Sequence, residues 1–305
     1  MTRRLLVIGS TNVDLFATVP RHPRPGETLI GGGGRRTAGG KGANQALAAA
    51  LQGAAVTFVG AVGDDPDAGL ALASLRDAGV DLDSVATAAG EPTGLAVITV
   101  AEDGENTIVV VPGANATVSV DAATEAVASM ADGDILLLQG EVPRETIEAA
   151  ARAAHDADRR VILNVAPWMA LDHDVLTTAD PLVLNEHEAQ LALEELDLTP
   201  AHDSPEAVAE AIAGAGTPSV VVTLGAAGAV LVSDAGTQQV ASPRVSAVDT
   251  TGAGDAFTGA LAARLLAGDD LATATAHAVR VGAYAVQHHG AQPSYPGPGA
   301  ELPGL

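Results

Sequence analysis

Short apolar runs alternate along the chain with stretches whose apolar positions recur every three or four residues. Leu5–Ile8, Val56–Val59, Ile135–Leu138, Val161–Asn164, Leu182–Leu184 and Ser219–Leu224 are such runs. Each predicts a strand buried on both faces. Between them, Gly42–Gln52, Pro66–Ala78, Arg144–Ala157, Glu186–Leu196, Pro205–Ala213 and Ala253–Ala267 predict helices, the second stopped by Gly79. This alternation predicts an α/β fold of Rossmann type: a mostly parallel central sheet flanked by helices on both faces.

Two segments break the pattern. Thr11–Arg36 alternates at Val13, Leu15, Ala17 and Val19, contains Pro20, Pro23 and Pro25, and ends in the run Gly31–Gly34. Gly94–Val100 and Asn106–Val111 flank the turn Glu102-Asp103-Gly104-Glu105. Both read as antiparallel strands with one buried face. They fall inside the α/β series, so they predict a small inserted β-sheet lid, from 12–40 and 93–113, on a single domain spanning 1–305. The Pro/Gly-rich tail from Pro293 reads as loose coil.

Composition narrows the functions. Hydrophobic residues make up 47% of the 305 and aromatics only 2%, so Ala, Val, Leu and Ile must build the core. The balance of 15 Lys+Arg against 38 Asp+Glu gives −23, which argues against nucleic acid or an anionic membrane as partner. With no cysteine there are no disulfides, thiolate metal sites or Cys nucleophiles, and a cytoplasmic location fits. The four apolar residues after Arg3-Arg4 fall short of a signal sequence, whose apolar region needs about 7–15. No segment approaches the roughly 18 apolar residues of a membrane span.

In such a fold, ligands bind at the carboxyl ends of the strands. After the first strand stands GSTNVD (Gly9–Asp14), not the G-x-G-x-x-G of a dinucleotide turn. Lys41 is not a P-loop lysine, because Arg35 and Gly42 stand where that motif needs Gly and Ser/Thr. Three segments carry candidate chemistry: Asn12 and Asp14 beyond the first strand, TAGGKGANQA (Thr37–Ala46) and VDTTGAGDAF (Val248–Phe257). Each of the last two is a glycine turn opening a helix, where free N–H groups attract anions. Asp255, in the first turn of its helix, could take a proton from an attacking hydroxyl. Each segment also has an ordinary structural reading, as helix caps or first-turn acids. Lys41 is harder to dismiss, being the only lysine in the chain.

These motifs stand in a longer order. It continues through PGET (Pro25–Thr28), VGDD (Val62–Asp65), QGEVP (Gln139–Pro143), NVAP (Asn164–Pro167), NEHE (Asn185–Glu188), TLG (Thr223–Gly225) and GAQPS (Gly290–Ser294). Over nearly its whole length the chain resembles the ribokinase-like (PfkB) carbohydrate kinases. GGKGAN and GAQPS favour the ribose-phosphorylating members over fructokinases and adenosine kinases.

The resemblance implies ATP-dependent phosphorylation of D-ribose at its 5-hydroxyl. It implies that Asn12, Asp14, Gly40, Lys41, Asn44, Glu141 and Asp255 hold the sugar, with Asp255 as general base and Gly252, Ala253 and Gly254 as the anion hole. Asn185 and Glu188 match the family's N-x-x-E motif, which acts through Mg²⁺ and its waters. Thr223, Gly225, Gly228 and Gly254 would line the ATP, with His277 near the adenine. Asp249, Thr251, Ala285, His288, Gly290 and Ser294 resemble the family's K⁺ site, mostly through backbone carbonyls. Exposed lid strands are an edge liability, so a homodimer paired through the lid is expected. Two alternatives stay open: a kinase for deoxyribose, pseudouridine or another pentose or nucleoside, and a non-catalytic sugar or nucleotide sensor. The chain departs from the family in the Gly31–Gly34 run, a longer His277–His289 region and a reduced C-terminal helix. Asn115-Ala-Thr117 matches a glycosylation sequon, which nothing else in the sequence supports.

Overall fold

The computed structural model describes residues 3–304. Strands β1 (Arg4–Ile8), β2 (Asn12–Val19) and β3 (Gly32–Gly39) lead into helix α1 (Lys41–Leu51), strand β4 (Ala55–Gly63) and the short helices α2 (Asp67–Ala71) and α3 (Ala73–Asp77). Next come β5 (Val85–Ala88), β6 (Gly94–Ala101), β7 (Asn106–Val111), α4 (Val120–Ala128), β8 (Ile135–Gln139) and α5 (Arg144–Asp156). β9 (Arg160–Asn164), α6 (His173–Leu176), β10 (Ala179–Asn185), α7 (Glu186–Glu195), α8 (Pro205–Gly214) and β11 (Val220–Thr223) follow. The hairpin β12 (Ala229–Ser233) and β13 (Gly236–Val240) precedes α9 (Ala253–Ala267) and α10 (Leu271–Ala285).

Among the described residues the main sheet has nine strands in the order β13-β12-β11-β10-β9-β8-β1-β4-β5, parallel except for the β12–β13 hairpin. Alternation in β1 explains its two faces. Leu5 and Val7 pack into the core that includes α1, α9 and α10; Leu6 and Ile8 pack into the core that includes α4, α5, α7 and α8. The chain leaves β1 for β4 on one side and returns to β8 on the other. That reversal opens a crevice at the carboxyl ends of β1 and β8. α1 and α9 meet closely beside it. At Gly259 a Cβ would lie 2.4 Å from Gln45 O, so only glycine allows this approach.

The four lid strands form one sheet in the order β3-β2-β6-β7, with β2 and β6 parallel. The glycine run opens β3, where Gly34 is the extra residue of a bulge between the Phe16–Arg35 and Ala17–Gly33 pairs. Val13, Ala96 and Ile98 are buried, whereas Ile108, Val109, Val110 and Val111 of the edge strand are 43–63% exposed.

Several elements differ from expectation. The helix predicted over Pro66–Ala78 is two helices, α2 and α3; at the break, Ala71 O accepts the Thr11 hydroxyl (3.2 Å). α4, α10, β5 and β12–β13 form where no element was predicted. The tail is not loose: Arg280 donates to Pro303 O (2.7 Å) and Leu302 O (3.1 Å). Among the described residues no helix is long and apolar enough to cross a membrane.

Candidate active site

The crevice is organised around Asp255, in the first turn of α9 and 7% exposed. Its carboxylate accepts from Asn44 Nδ2 at Oδ2 (2.9 Å) and from Gln45 Nε2 at Oδ1 (3.0 Å). Gln45 Nε2 also donates to Asn164 Oδ1 (2.8 Å), and Gln139 Nε2 donates to Gln45 Oε1 (2.9 Å). Gln292 Nε2 donates to Asn44 Oδ1 (3.0 Å). Five neutral amides from four separate segments thus fix one carboxylate. Gln45, Gln139, Asn164 and Gln292 received no role from the sequence, although each lies inside a quoted motif.

Lys41 opens α1 beside this network. Asp255 above all, and then Glu141 and Glu188, hold its ammonium charged against the opposing effect of burial. Glu141 Oε2 accepts from Lys41 N (3.0 Å) and from the Ser10 hydroxyl (2.5 Å), joining β8 and β1 to the helix start. Burial, then Glu141 and Asp255, push the Asp14 carboxyl up to about 7. Asn12 is held by Asn115 Nδ2 (2.7 Å), whose Oδ1 accepts from Thr11 N (2.9 Å). Asn115 is 1% exposed, so the sequon asparagine is a buried brace for the Asn12 segment. Gly40 is the N-cap of α1.

A cavity of about 220 Å³ opens beside Lys41 and Asp255; Asn12, Asp14, Gly40, Asn44 and Glu141 do not line it. Lys41, Asn164, Asn185, Glu188, Thr223, Gly252, Gly254 and Asp255 all line it. A larger hollow, of about 350 Å³, lies between α7 and α8 and includes none of the candidate site residues. Asn185 and Glu188 form a capping box at the start of α7, with Asn185 N donating to Glu188 Oε2 (2.9 Å) and Glu188 N to Asn185 Oδ1 (2.8 Å). Burial raises the Glu188 carboxyl above its ordinary range, partly opposed by the Asn185 hydrogen bond and by Lys41. Gly225 and Gly228 bracket the turn after Thr223.

At the start of α9, Gly252 is left-handed (φ 73°). A Cβ there would lie 2.6 Å from Ala291 Cβ and 2.8 Å from Tyr295 Oη. Among the described residues the N–H groups of Gly252, Gly254 and Asp255 have no protein acceptor, as an anion site requires. Ala253 differs from expectation. Its N–H donates to Thr250 O (3.2 Å), closing the turn, so it is not free for an anion.

Asp249 ties two loops together, accepting from Thr251 N (2.9 Å) and Gly290 N (2.8 Å). Burial alone would raise its carboxyl; these hydrogen bonds outweigh it and hold the group below its ordinary value. Ser294 is buried, with its hydroxyl on Ala291 O (2.7 Å). Ala285 ends α10, and its carbonyl accepts from His288 N (3.0 Å). The exposed His288 ring stacks on Tyr284. His277 is not brought to the cavity. It bonds Gln52 Oε1 (2.9 Å) beyond the far end of α1, an 11-residue helix that spans about 16 Å from Lys41.

No three His, Asp or Glu side chains among the described residues converge to hold a metal ion. Glu188 at the cavity wall is a carboxylate oxygen donor of the kind Mg²⁺ takes beside phosphates. The Asp249 carboxylate and the Ser294 hydroxyl are hard oxygen donors of the kind an alkali cation takes.

The profile of the pfkB family carbohydrate kinases matches residues 2–297. A ribokinase of Staphylococcus aureus is 37% identical over 298 residues, 97% of both chains. A deoxyribokinase of Salmonella typhi is 34% identical, covering 96% of this chain and 95% of the relative. The solved structure of Arabidopsis thaliana ribokinase complexed with ribose and ATP superposes with a TM-score of 0.86 at 34% identity, covering 97% of this chain and 96% of that one.

Proposed function

Because the chain belongs to the pfkB family of carbohydrate kinases, we propose that it transfers the γ-phosphoryl group of ATP to the 5-hydroxyl of D-ribose. The carrying observation is Asp255, held in place by two amide donors beside N–H groups that have no acceptor among the described residues and beside the only lysine. Asn12, Asp14, Lys41, Asn44 and Glu141 hold the sugar hydroxyls, with Gly40 shaping the turn. Asp255 takes the hydroxyl proton as O5 attacks the γ-phosphorus and the bond to the β-phosphate oxygen breaks, giving ribose 5-phosphate and ADP. Gly252 and Gly254 N–H groups and the Lys41 ammonium meet the charge on the moving phosphoryl. The lid covers the sugar and excludes water. The adenine side is lined by the turn from Thr223 through Gly225 to Gly228.

Glu188 and Asn185 would hold Mg²⁺ through water, the ion neutralising phosphate charge. A K⁺ ion would sit among Asp249, Thr251, Ala285, His288, Gly290 and Ser294 and order the loop that presents Gly252. The exposed β7 edge supports a homodimer paired through the lid, and the cysteine-free composition supports a cytoplasmic enzyme.

Asp255→Asn tests the reading. Turnover should fall roughly 10²–10⁴-fold while calorimetry still detects ribose. Near-wild-type turnover at saturating substrate would reject it. A non-catalytic sensor needs neither the base nor free N–H groups beside it. Deoxyribose is the second substrate to measure, since it lacks the 2-hydroxyl and only a contact to that group can decide between the two pentoses.

A further inference from the structure

Asp255 meets two side-chain amides, and an amide can present either its nitrogen or its oxygen. Only the nitrogen supports a carboxylate; the oxygen repels it. What decides the matter for Asn44 is its other end. Gln292 Nε2 donates to Asn44 Oδ1 (3.0 Å), which leaves Asn44 Nδ2 to donate to Asp255 Oδ2 (2.9 Å). Gln292 is 5% exposed and does not line the cavity. Among the described residues its own Oε1 is buried without a partner, so toward Asn44 the side chain serves as a donor. The loop that carries it is fixed on both sides, by Gly290 N on Asp249 Oδ2 (2.8 Å) and by the Tyr295 hydroxyl on Gly252 O (3.1 Å). The arrangement repeats on the opposite oxygen, where Gln139 orients Gln45.

From this geometry we propose that Gln292 is a positioning residue for the phosphoryl-transfer base, acting through Asn44, an inference that rests on the reading of Asp255 as that base. By locking the Asn44 amide, Gln292 keeps the Asp255 carboxylate aimed at the sugar hydroxyl. Without it Asn44 can turn its oxygen toward Asp255 and push the carboxylate out of line. A base displaced in this way loses turnover while ATP binding holds, because Gln292 does not line the cavity.

Gln292→Met keeps the length of the side chain and removes the donor. Its kcat should fall about 10- to 100-fold, the range for a base misplaced by less than an ångström or so, with the KM for ATP unchanged. In an Asp255→Asn background the same substitution should cost nothing further, since two residues acting as one unit are not additive. Unchanged kcat in the single variant overturns the proposal, and so does an equal loss in both backgrounds, which marks a purely structural role. If instead Asp255→Asn alone keeps turnover, it is the base assignment that fails. Should the Met variant not fold, the Asn44 side-chain NH₂ resonance of the wild-type protein gives a second test. It should shift on Asp255→Asn; a resonance that does not move means that the nitrogen does not face the base, and the proposal falls.

Discussion

Asp14 lies where the lid meets the body, 7% exposed, with Glu141 and Asp255 as its charged neighbours. Burial first, then those two carboxylates, push its carboxyl from an ordinary 3.8 up to about 7. Over that interval the folded chain keeps a proton that the unfolded chain has released. The stabilisation from this group is therefore complete below an unfolded value of about 4 and lost as pH rises through about 7. About three pH units at about 1.4 kcal/mol each bound the loss at about 4 kcal/mol. Asp14→Asn stays neutral at every pH and nearly preserves the shape. Its stability gain over wild type should widen by about 2 kcal/mol between about pH 5.5 and about pH 8, the part of the interval lying above the lower pH. Urea unfolding followed by circular dichroism without sugar measures both chains at each pH. A gap that does not change with pH would refute the claim that Asp14 carries the cost of the carboxylate cluster. The same variant should bind ribose poorly, because an amide replaces the acceptor that the sugar hydroxyls meet.

Amine-specific acetylation should inactivate through Lys41, the only lysine, and bound ribose should slow it; mass spectrometry beside residual rate checks this, and full activity with Lys41 acetylated would reject its role. Potassium should raise the rate over sodium or lithium at matched ionic strength, and equal rates in all three salts would count against a cation among Asp249, Gly290 and Ser294. Val109→Asp on the exposed edge strand should halve the mass seen in sedimentation, whereas an unchanged mass places any dimer contact elsewhere. Gly252→Ala should cost roughly 1–3 kcal/mol of stability through its left-handed backbone. It should also lower kcat, because the added Cβ meets Ala291 and Tyr295; a fully active, equally stable variant would contradict the packing described here.

What could be read from the sequence was whatever a short stretch of backbone enforces. Glycine before Lys41 and before Ala253, followed by helical patterning, marks two helix starts, and both helices begin where those turns put them. Strands with continuous apolar runs were legible for the same reason. α10 was not: LATATAHAVRVGAYA carries Thr, Val and Gly, residues of low helix propensity, among its alanines. The amides around Asp255 were illegible on different grounds. Gln45, Gln139, Asn164 and Gln292 are joined by hydrogen bonds across 94 to 248 residues of sequence, and an isolated glutamine announces no partner. His277 erred in the opposite direction: a histidine in roughly the right stretch invited a role, but helix geometry carries its ring to Gln52. NEHE shows that the two kinds of signal can coincide. N-x-x-E is also a capping-box pattern, and the structure realises it as one. The cap does not compete with the phosphate role. It fixes Glu188 at a helix start that faces the cavity, through a backbone N–H on one carboxylate oxygen, and that places a buried acid where a metal-bound phosphate chain would pass. A local stabilising device is thus what gives a long-range chemical group its position, and neither reading of the motif is complete without the other.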